Sequence, residues 1–322
     1  MTQRQHPVGS PFSAASTATE VVRGIDLSGQ RAIVTGGHSG LGLETVRALS
    51  GAGALVLVPA RDPDRARAAL EGIANIEVDQ LDLADAASIT AFGQRLVASG
   101  AAIDMLINSA GIMATPLSRD AEGHESQFAT NHLGHFRLTA ALWPALVQSG
   151  NSRVVSVSSR GHQIAGVDFE DIDFHTRPYD KWAAYGQSKT ANALFAIALD
   201  ERGKASGVRA FSLHPGQVLT ALARHLSEEE IAGFDARDEQ GKLRVDPARG
   251  MKTVPQAAAT SVWAATSPLL SGLGGVYLED CEIAAINNAE AGRNGVAPWA
   301  ADPALAERLW QVSEDMTGVS MG

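Results

Sequence analysis

Short apolar runs alternate along this chain with longer stretches of helical period. The runs at 31–35, 54–60, 76–83, 103–108, 153–159, 208–214 and 274–279 are continuous and bounded by turn residues. Strands buried on both faces have this character. Between them, 41–52, 63–73, 85–99, 122–148, 180–205 and 255–266 carry apolar residues at helical spacing. Seven strands separated by helices predict right-handed βαβ crossovers and a parallel sheet covered on both sides, an α/β architecture.

Three segments depart from the rhythm. Residues 1–28 are rich in Ser, Thr and Pro toward the N-terminus and are expected to form a flexible or surface-bound arm. The stretch 219–252 contains SEEE and DARDEQGKLRVDP. Its charges suit a solvated surface, and its place after the sixth strand makes it a candidate lid. Residues 281–322 read as a tail packed on the same domain, with a short helix near Asp302 to Met316. The domain itself is expected to span 29–280.

Composition changes the picture mainly by exclusion. With 322 residues, 45% apolar and 19% charged, disorder and collagen-like repeats drop out. The net charge of −10 argues against a nucleic-acid partner. A single cysteine, Cys281, can form neither an internal disulfide nor a Cys-based zinc site, and is expected to be a buried small hydrophobe. A reducing cytoplasm is the expected setting. No run reaches the length of a membrane span.

The first strand runs into Thr35-Gly36-Gly37-His38-Ser39-Gly40-Leu41-Gly42, and a helix follows at once. Glycines there permit a tight turn, close approach to a pyrophosphate and close packing of helix on strand. The free N–H groups of the helix start would face the phosphates. With strand before and helix after, the loop predicts dinucleotide binding.

TGGHSGLG resembles the TGxxxGxG loop of the short-chain dehydrogenase/reductase family. Four further motifs match in the family's order. Asn108-Ser109-Ala110-Gly111 is similar to its NNAG motif, with Ser at the second Asn. Asn131-His132-Leu133-Gly134 resembles the Asn-bearing segment of its central helix. Tyr185-Gly186-Gln187-Ser188-Lys189 is its YxxxK, preceded by Ser158-Ser159. Pro215-Gly216-Gln217-Val218-Leu219-Thr220, after His214, resembles its PGxVxT turn. NHLGHF and SSRGH look like the retinol-dehydrogenase and WW-domain-oxidoreductase branch, without a WW domain. The resemblance implies one doubly wound Rossmann-type domain with strand order 3-2-1-4-5-6-7.

Read as chemistry, Tyr185 and Lys189 lie four apart in a helical stretch and share a face. A phenol titrates near 10, and a neighbouring ammonium, with a charged nicotinamide, would lower that value. The pair suits proton exchange with an alcohol/carbonyl couple. The resemblance further implies that Ser159, with Ser158 as the alternative register, steadies the substrate oxygen. It implies that Asn131 supports the central helix and a water relay, and that Lys189 also binds the nicotinamide ribose. The long insert between Ser159 and Tyr185 is expected beside the substrate cleft.

The second strand ends Pro59-Ala60-Arg61-Asp62. NAD enzymes place a carboxylate here for the ribose hydroxyls, whereas an Arg accommodates the 2′-phosphate of NADP. Ala60 stands at the family's acidic position and Arg61 can grip a phosphate. Asp62 reads as a helix cap before Pro63. NADP(H) is therefore favoured, with NAD(H) as the alternative. Asp82-Leu83 resembles the family's adenine-contacting pair.

The expected cofactor set is Gly36, His38, Ser39, Gly40, Leu41, Gly42, Arg61, Asp82, Leu83, Asn108, Ala110, Gly111, Tyr185, Lys189, Pro215, Gly216, Val218 and Thr220. His132 and His135 lack a third ligand, so no metal is expected. His162 and His175 are candidates for substrate contact, as are Met113, Phe174, Trp182 and Leu222 for an apolar pocket. The expected partner is a small-molecule alcohol or carbonyl, which the branch resemblance implies to be apolar and fairly bulky. The resemblance also implies a homo-oligomer through 122–148 and 180–205. A non-catalytic dinucleotide-sensing protein and a scaffold are the competing readings; both Tyr185 and Lys189 are present, which favours the enzyme.

Overall fold

The computed structural model describes residues 5–234, 242, 244–287 and 294–321. Its sheet runs in the order β3-β2-β1-β4-β5-β6-β7-β8. The first seven strands are parallel: β1 (Arg31–Val34), β2 (Leu55–Ala60), β3 (Ile76–Gln80), β4 (Met105–Asn108), β5 (Ser152–Val157), β6 (Val208–His214) and β7 (Val276–Glu279). The expected order holds. An eighth strand, β8 (Glu282–Ile283), adds an antiparallel edge. Asp280 and Cys281 turn the chain there with φ of 55° and 60°. Two successive left-handed residues make a tight hairpin, with Cys281 where glycine usually follows the Asp.

Helices cover both faces. On one lie α1 (Ala18–Val22), α2 (Gly40–Gly51) and α9 (Val254–Thr266), which bury Val21, Leu49 and Trp263 against the sheet. The other carries α4 (Ala86–Ala98), α6 (Gly134–Ser149) and α7 (Lys181–Gly203), with Phe92, Phe136 and Leu194 in its core. α3 (Pro63–Ala69) follows β2. The predicted helix at 122–148 begins later and in three parts. α5 (Ser126–Phe128) passes through a π-turn at Ala129–Leu133 into α6. That turn carries Asn131.

The N-terminal arm is tied to the sheet edge. The Gln5 amide pairs with the backbone of Tyr277 and with Ala284 O. The Glu282 carboxylate accepts N–H bonds from Val8, Gly9 and Ser10. At the other end, α10 (Pro303–Thr317) lies along α7, where Trp310 stacks on Phe195 and meets Phe136 edge-on. α10 thus occupies part of the helical face that the resemblance assigned to subunit contacts. No described helix is long and apolar enough to cross a membrane.

Candidate active site

A cleft of about 750 Å³ opens at the carboxyl edge of the sheet. In open α/β sheets this is where ligands bind. One wall is the turn from β1 into α2. Gly36 has φ 68°, and a Cβ there would come within 3.0 Å of Ala110 Cα. A Cβ on Gly42 would sit 2.4 Å from Gly36 O, so only glycine lets α2 close on the loop. Thr35 joins this loop to the next. Its Oγ1 accepts the N–H groups of Ser109 (2.9 Å) and Ala110 (3.0 Å) and bonds His135 Nε2 at 2.9 Å.

The facing wall comes from β5, the 3-10 turn Arg160–Gln163 and α7. Ser159 caps that turn, and its Oγ accepts Gly161 N–H at 3.1 Å. The Tyr185 side chain stands beside Ser159. Burial pushes this phenol up to about 12, with Ser159 pulling the other way. The sequence-based expectation of a lowered value is therefore not met by the protein groups alone. Lys189 sits one helical turn on. Its Nζ lies 5.8 Å from the Tyr185 ring centre and donates to Val157 O at 2.9 Å. Burial brings its ammonium down to about 8.

Most of the expected residues line this cleft: Gly36, His38, Ser39, Gly40, Leu41, Gly42, Arg61, Asp82, Leu83, Ala110, Gly111, Ser159, Tyr185, Lys189, Pro215, Gly216, Val218 and Thr220. Asn108 and Asn131 lie behind its wall. Asn108 directs its amide to Thr139 Oγ1 at 3.4 Å. Asn131 pairs both ways with the Ile112 backbone and donates to Ser188 Oγ at 2.9 Å, which ties the loop after β4 to α7. Asp62 caps α3 by accepting Arg65 N–H at 3.1 Å.

Of the apolar candidates, Met113, Trp182 and Leu222 face the cleft. Phe174 does not. It is buried against Tyr179 and under the Arg177 guanidinium, because the insert before α7 folds on Asp171 and along α7 rather than over the cleft. His175 goes with that insert, away from the cleft. His162 is buried beneath Ser159, not presented to substrate. His132 and His135 are core residues bonded to Ser313 and Thr35.

The segment after β6 also borders the cleft. α8 (Glu228–Gly233) is held to the start of α7: Glu230 accepts from Lys181 Nζ at 2.6 Å and Trp182 Nε1 at 3.3 Å. Ile231 and Phe234 add apolar lining, with Phe234 against Trp182. Residues 235–241 and 243 of the expected lid lie outside the described residues. Sequence reasoning missed Gly161, Arg65, Ile231 and Phe234. Arg65 was legible as a cation one helical turn beyond Arg61; the others depend on tertiary approach.

The short chain dehydrogenase profile matches residues 30–231. The chain belongs to the short chain dehydrogenase family. It is an oxidoreductase of the NAD(P)-dependent kind. A Streptomyces lividans protein named as an oxidoreductase is 45% identical over 298 residues, covering 90% of this chain and 98% of that protein. Retinol dehydrogenase 11 of Mus musculus is 35% identical over 306 residues, 92% of this dehydrogenase and 88% of the mouse protein. A solved structure of an uncharacterized protein from Mycobacterium paratuberculosis aligns with TM-score 0.71 at 31% identity, covering 94% of this chain and 98% of that one.

Proposed function

We propose that this dehydrogenase interconverts an apolar alcohol and its carbonyl, prefers NADP(H), and uses Tyr185 to move the proton. The observation that carries this reading is the convergence of Ser159, Tyr185 and Lys189 on one wall of a cleft whose other wall is the glycine loop. The residues fit a dinucleotide. Gly36 and Gly42 let the loop close tightly against Ala110 and α2, and His38 Nδ1 is a buried atom without a protein partner. When bound, the nicotinamide supplies or takes the hydride at the carbonyl carbon.

The chain's own groups manage the oxygen. At neutral pH Tyr185 is a phenol, ready to donate to the oxygen of a carbonyl undergoing reduction. Ser159 Oγ already accepts Gly161 N–H, which leaves its hydroxyl proton for the same oxygen as negative charge develops. Lys189, near 8, carries an ammonium for most of the time at pH 7 and favours the phenolate left after transfer. In the oxidation direction the same phenolate takes the alcohol proton. Asn131 acts by holding Ile112 and Ser188 in place.

Cofactor choice follows from the end of β2. Ala60 offers no carboxylate to hold ribose hydroxyls, and Asp62 is engaged as a cap. Arg61 and Arg65 both reach the cleft there, where a 2′-phosphate would find two guanidinium groups. Met113, Trp182, Leu222, Ile231 and Phe234 favour an apolar substrate. The test is steady-state oxidation of NADPH and of NADH with decanal, cinnamaldehyde, all-trans-retinal and a steroid ketone. Turnover of at least one carbonyl, with NADPH preferred, is expected. Absence of turnover with tight cofactor binding would favour the sensing reading instead.

A further inference from the structure

The segment 294–299 after β8 reaches the back of Ser159 through one side chain, His162. The ring is 1% exposed and has a partner at each nitrogen. Ala297 N–H points at Nε2 from 3.0 Å. An amide N–H can only donate, so Nε2 must hold its lone pair and Nδ1 must carry the hydrogen. Nδ1 lies 2.6 Å from Ser159 O, which only accepts, so this N–H bond is directed at the serine's carbonyl. That carbonyl also receives His162's own backbone N–H at 3.0 Å, and its two lone pairs take these two close donors, with the Tyr277 hydroxyl a longer third at 3.4 Å. Tyr277 OH stands 3.1 Å from Nδ1 and closes the third side.

The ring is in turn built into the tail. Trp299 Nε1 donates to His162 O at 3.1 Å, and Gln163 Nε2 donates to Gly295 O at 3.0 Å. Gly295 N–H reaches Glu279 on β7 at 2.8 Å. The 3-10 turn that begins at Ser159 is thereby pinned to the far edge of the sheet. Burial keeps the imidazole neutral, its value brought down to about 4. The tautomer is consequently fixed by position and does not change across the neutral range.

We infer that His162 is a positioning residue, a neutral Nδ1–H tautomer through which the 294–299 segment sets the backbone, and so the hydroxyl, of Ser159. This rests on the role of Ser159 proposed above. His162 touches neither substrate nor cofactor. Its effect is on where Ser159 Oγ stands relative to Tyr185.

Two substitutions separate the two nitrogens. His162→Asn places an amide N–H near the position of Nδ1 and gives up Ala297. His162→Gln reaches toward Ala297 and leaves Ser159 O without the ring donor. Both are measured for kcat with the best carbonyl of the panel and saturating NADPH, for NADPH Kd, and for thermal midpoint. Expected is a fall in kcat of about tenfold or more in the Gln variant, the equivalent of one hydrogen bond, with most of kcat retained by Asn and Kd unchanged in both. Added to Ser159→Ala, His162→Gln should cost little more. Equal kcat losses in Asn and Gln that follow their thermal midpoints, or full additivity with Ser159→Ala, would overturn the inference and leave His162 as packing alone. Wild-type kcat in both variants would overturn it too. Wild-type kcat in Ser159→Ala would instead overturn the role of the serine. Long-range ¹⁵N–¹H correlation on histidine-labelled protein reads the tautomer independently of activity; an Nε2–H form for His162 would contradict the assignment.

Discussion

A Cβ on Gly161 would stand 2.7 Å from Cε1 of the Tyr185 ring. Gly186, the next residue on α7, faces the Gly161 carbonyl, where its own Cβ would lie 2.8 Å away. The two glycines let α7 approach the 3-10 turn closely enough for the Tyr185 hydroxyl to meet Ser159. Gly161→Ala must therefore displace a buried ring on a long helix. We expect kcat to fall by about tenfold or more with NADPH affinity unchanged, since misplacement of an acid/base group is costly. Unchanged kcat would mean the ring yields without leaving its place beside Ser159.

The fold was legible in this sequence because its strands are continuous apolar runs and its glycine loop stands between strand and helix. What escaped was set by tertiary approach. The β7–β8 hairpin turns on Asp280 and Cys281, where a cysteine stands in place of the usual glycine. The insert before α7 is long and lies between Ser159 and Tyr185, which placed it beside the cleft, yet Asp171 gathers His175, Thr176 and Arg177 N–H groups and folds it onto α7. His162 read as a candidate for substrate contact because it falls in the loop expected beside the cleft; only the tail's return past Ala297 buries it. Motif spacing pointed to Tyr185 and Lys189 without revealing how burial shifts them.

Cofactor preference is tested at Arg61. A hydrogen bond to a charged group contributes roughly 1.5–3 kcal/mol, or about 10- to 150-fold in affinity. Arg61→Ala should weaken NADPH by about that factor and leave NADH nearly unchanged. The further loss in Arg61→Ala/Arg65→Ala measures the second guanidinium. Fluorescence titration gives all four dissociation constants, and equal losses for the two cofactors would mean that neither Arg reads the 2′-phosphate.

Lys189 makes a stability prediction with a definite sign. Its folded value, about 8, lies below its ordinary 10.5 because burial disfavours the ammonium. Between those values the unfolded chain binds more protons than the folded one, so stability rises with pH across that window. Below about 8 the full cost of the buried charge is present, on the order of 3 kcal/mol at about 1.4 kcal/mol per unit. Lys189→Met keeps the volume, and Val157 O keeps its bond from Asn192. The variant should melt above wild type at pH 7, with the gap closing toward pH 10.5. Melting below wild type at every pH would show that the ammonium is not a net cost.

The contact between α8 and α7 predicts how substrate enters. Glu230→Gln removes the charge that pairs with Lys181 while leaving the helix cap's geometry available. Amide exchange over 228–233 should quicken, and KM for the preferred apolar carbonyl should rise by roughly two- to fivefold, the modest effect expected of a partly exposed pair. High salt should reproduce the effect in wild type. Exchange rates identical in the two proteins would count against α8 being held by this pair.

The most direct test of the account replaces Tyr185 with Phe. The ring and its packing against Trp182 remain, and only the hydroxyl is lost. Stopped-flow and steady-state NADPH oxidation with the preferred carbonyl, alongside NADPH titration, separates chemistry from binding. A loss of turnover of about 10²–10⁴-fold with NADPH affinity nearly intact is the expected result. Turnover within a few-fold of wild type would contradict it.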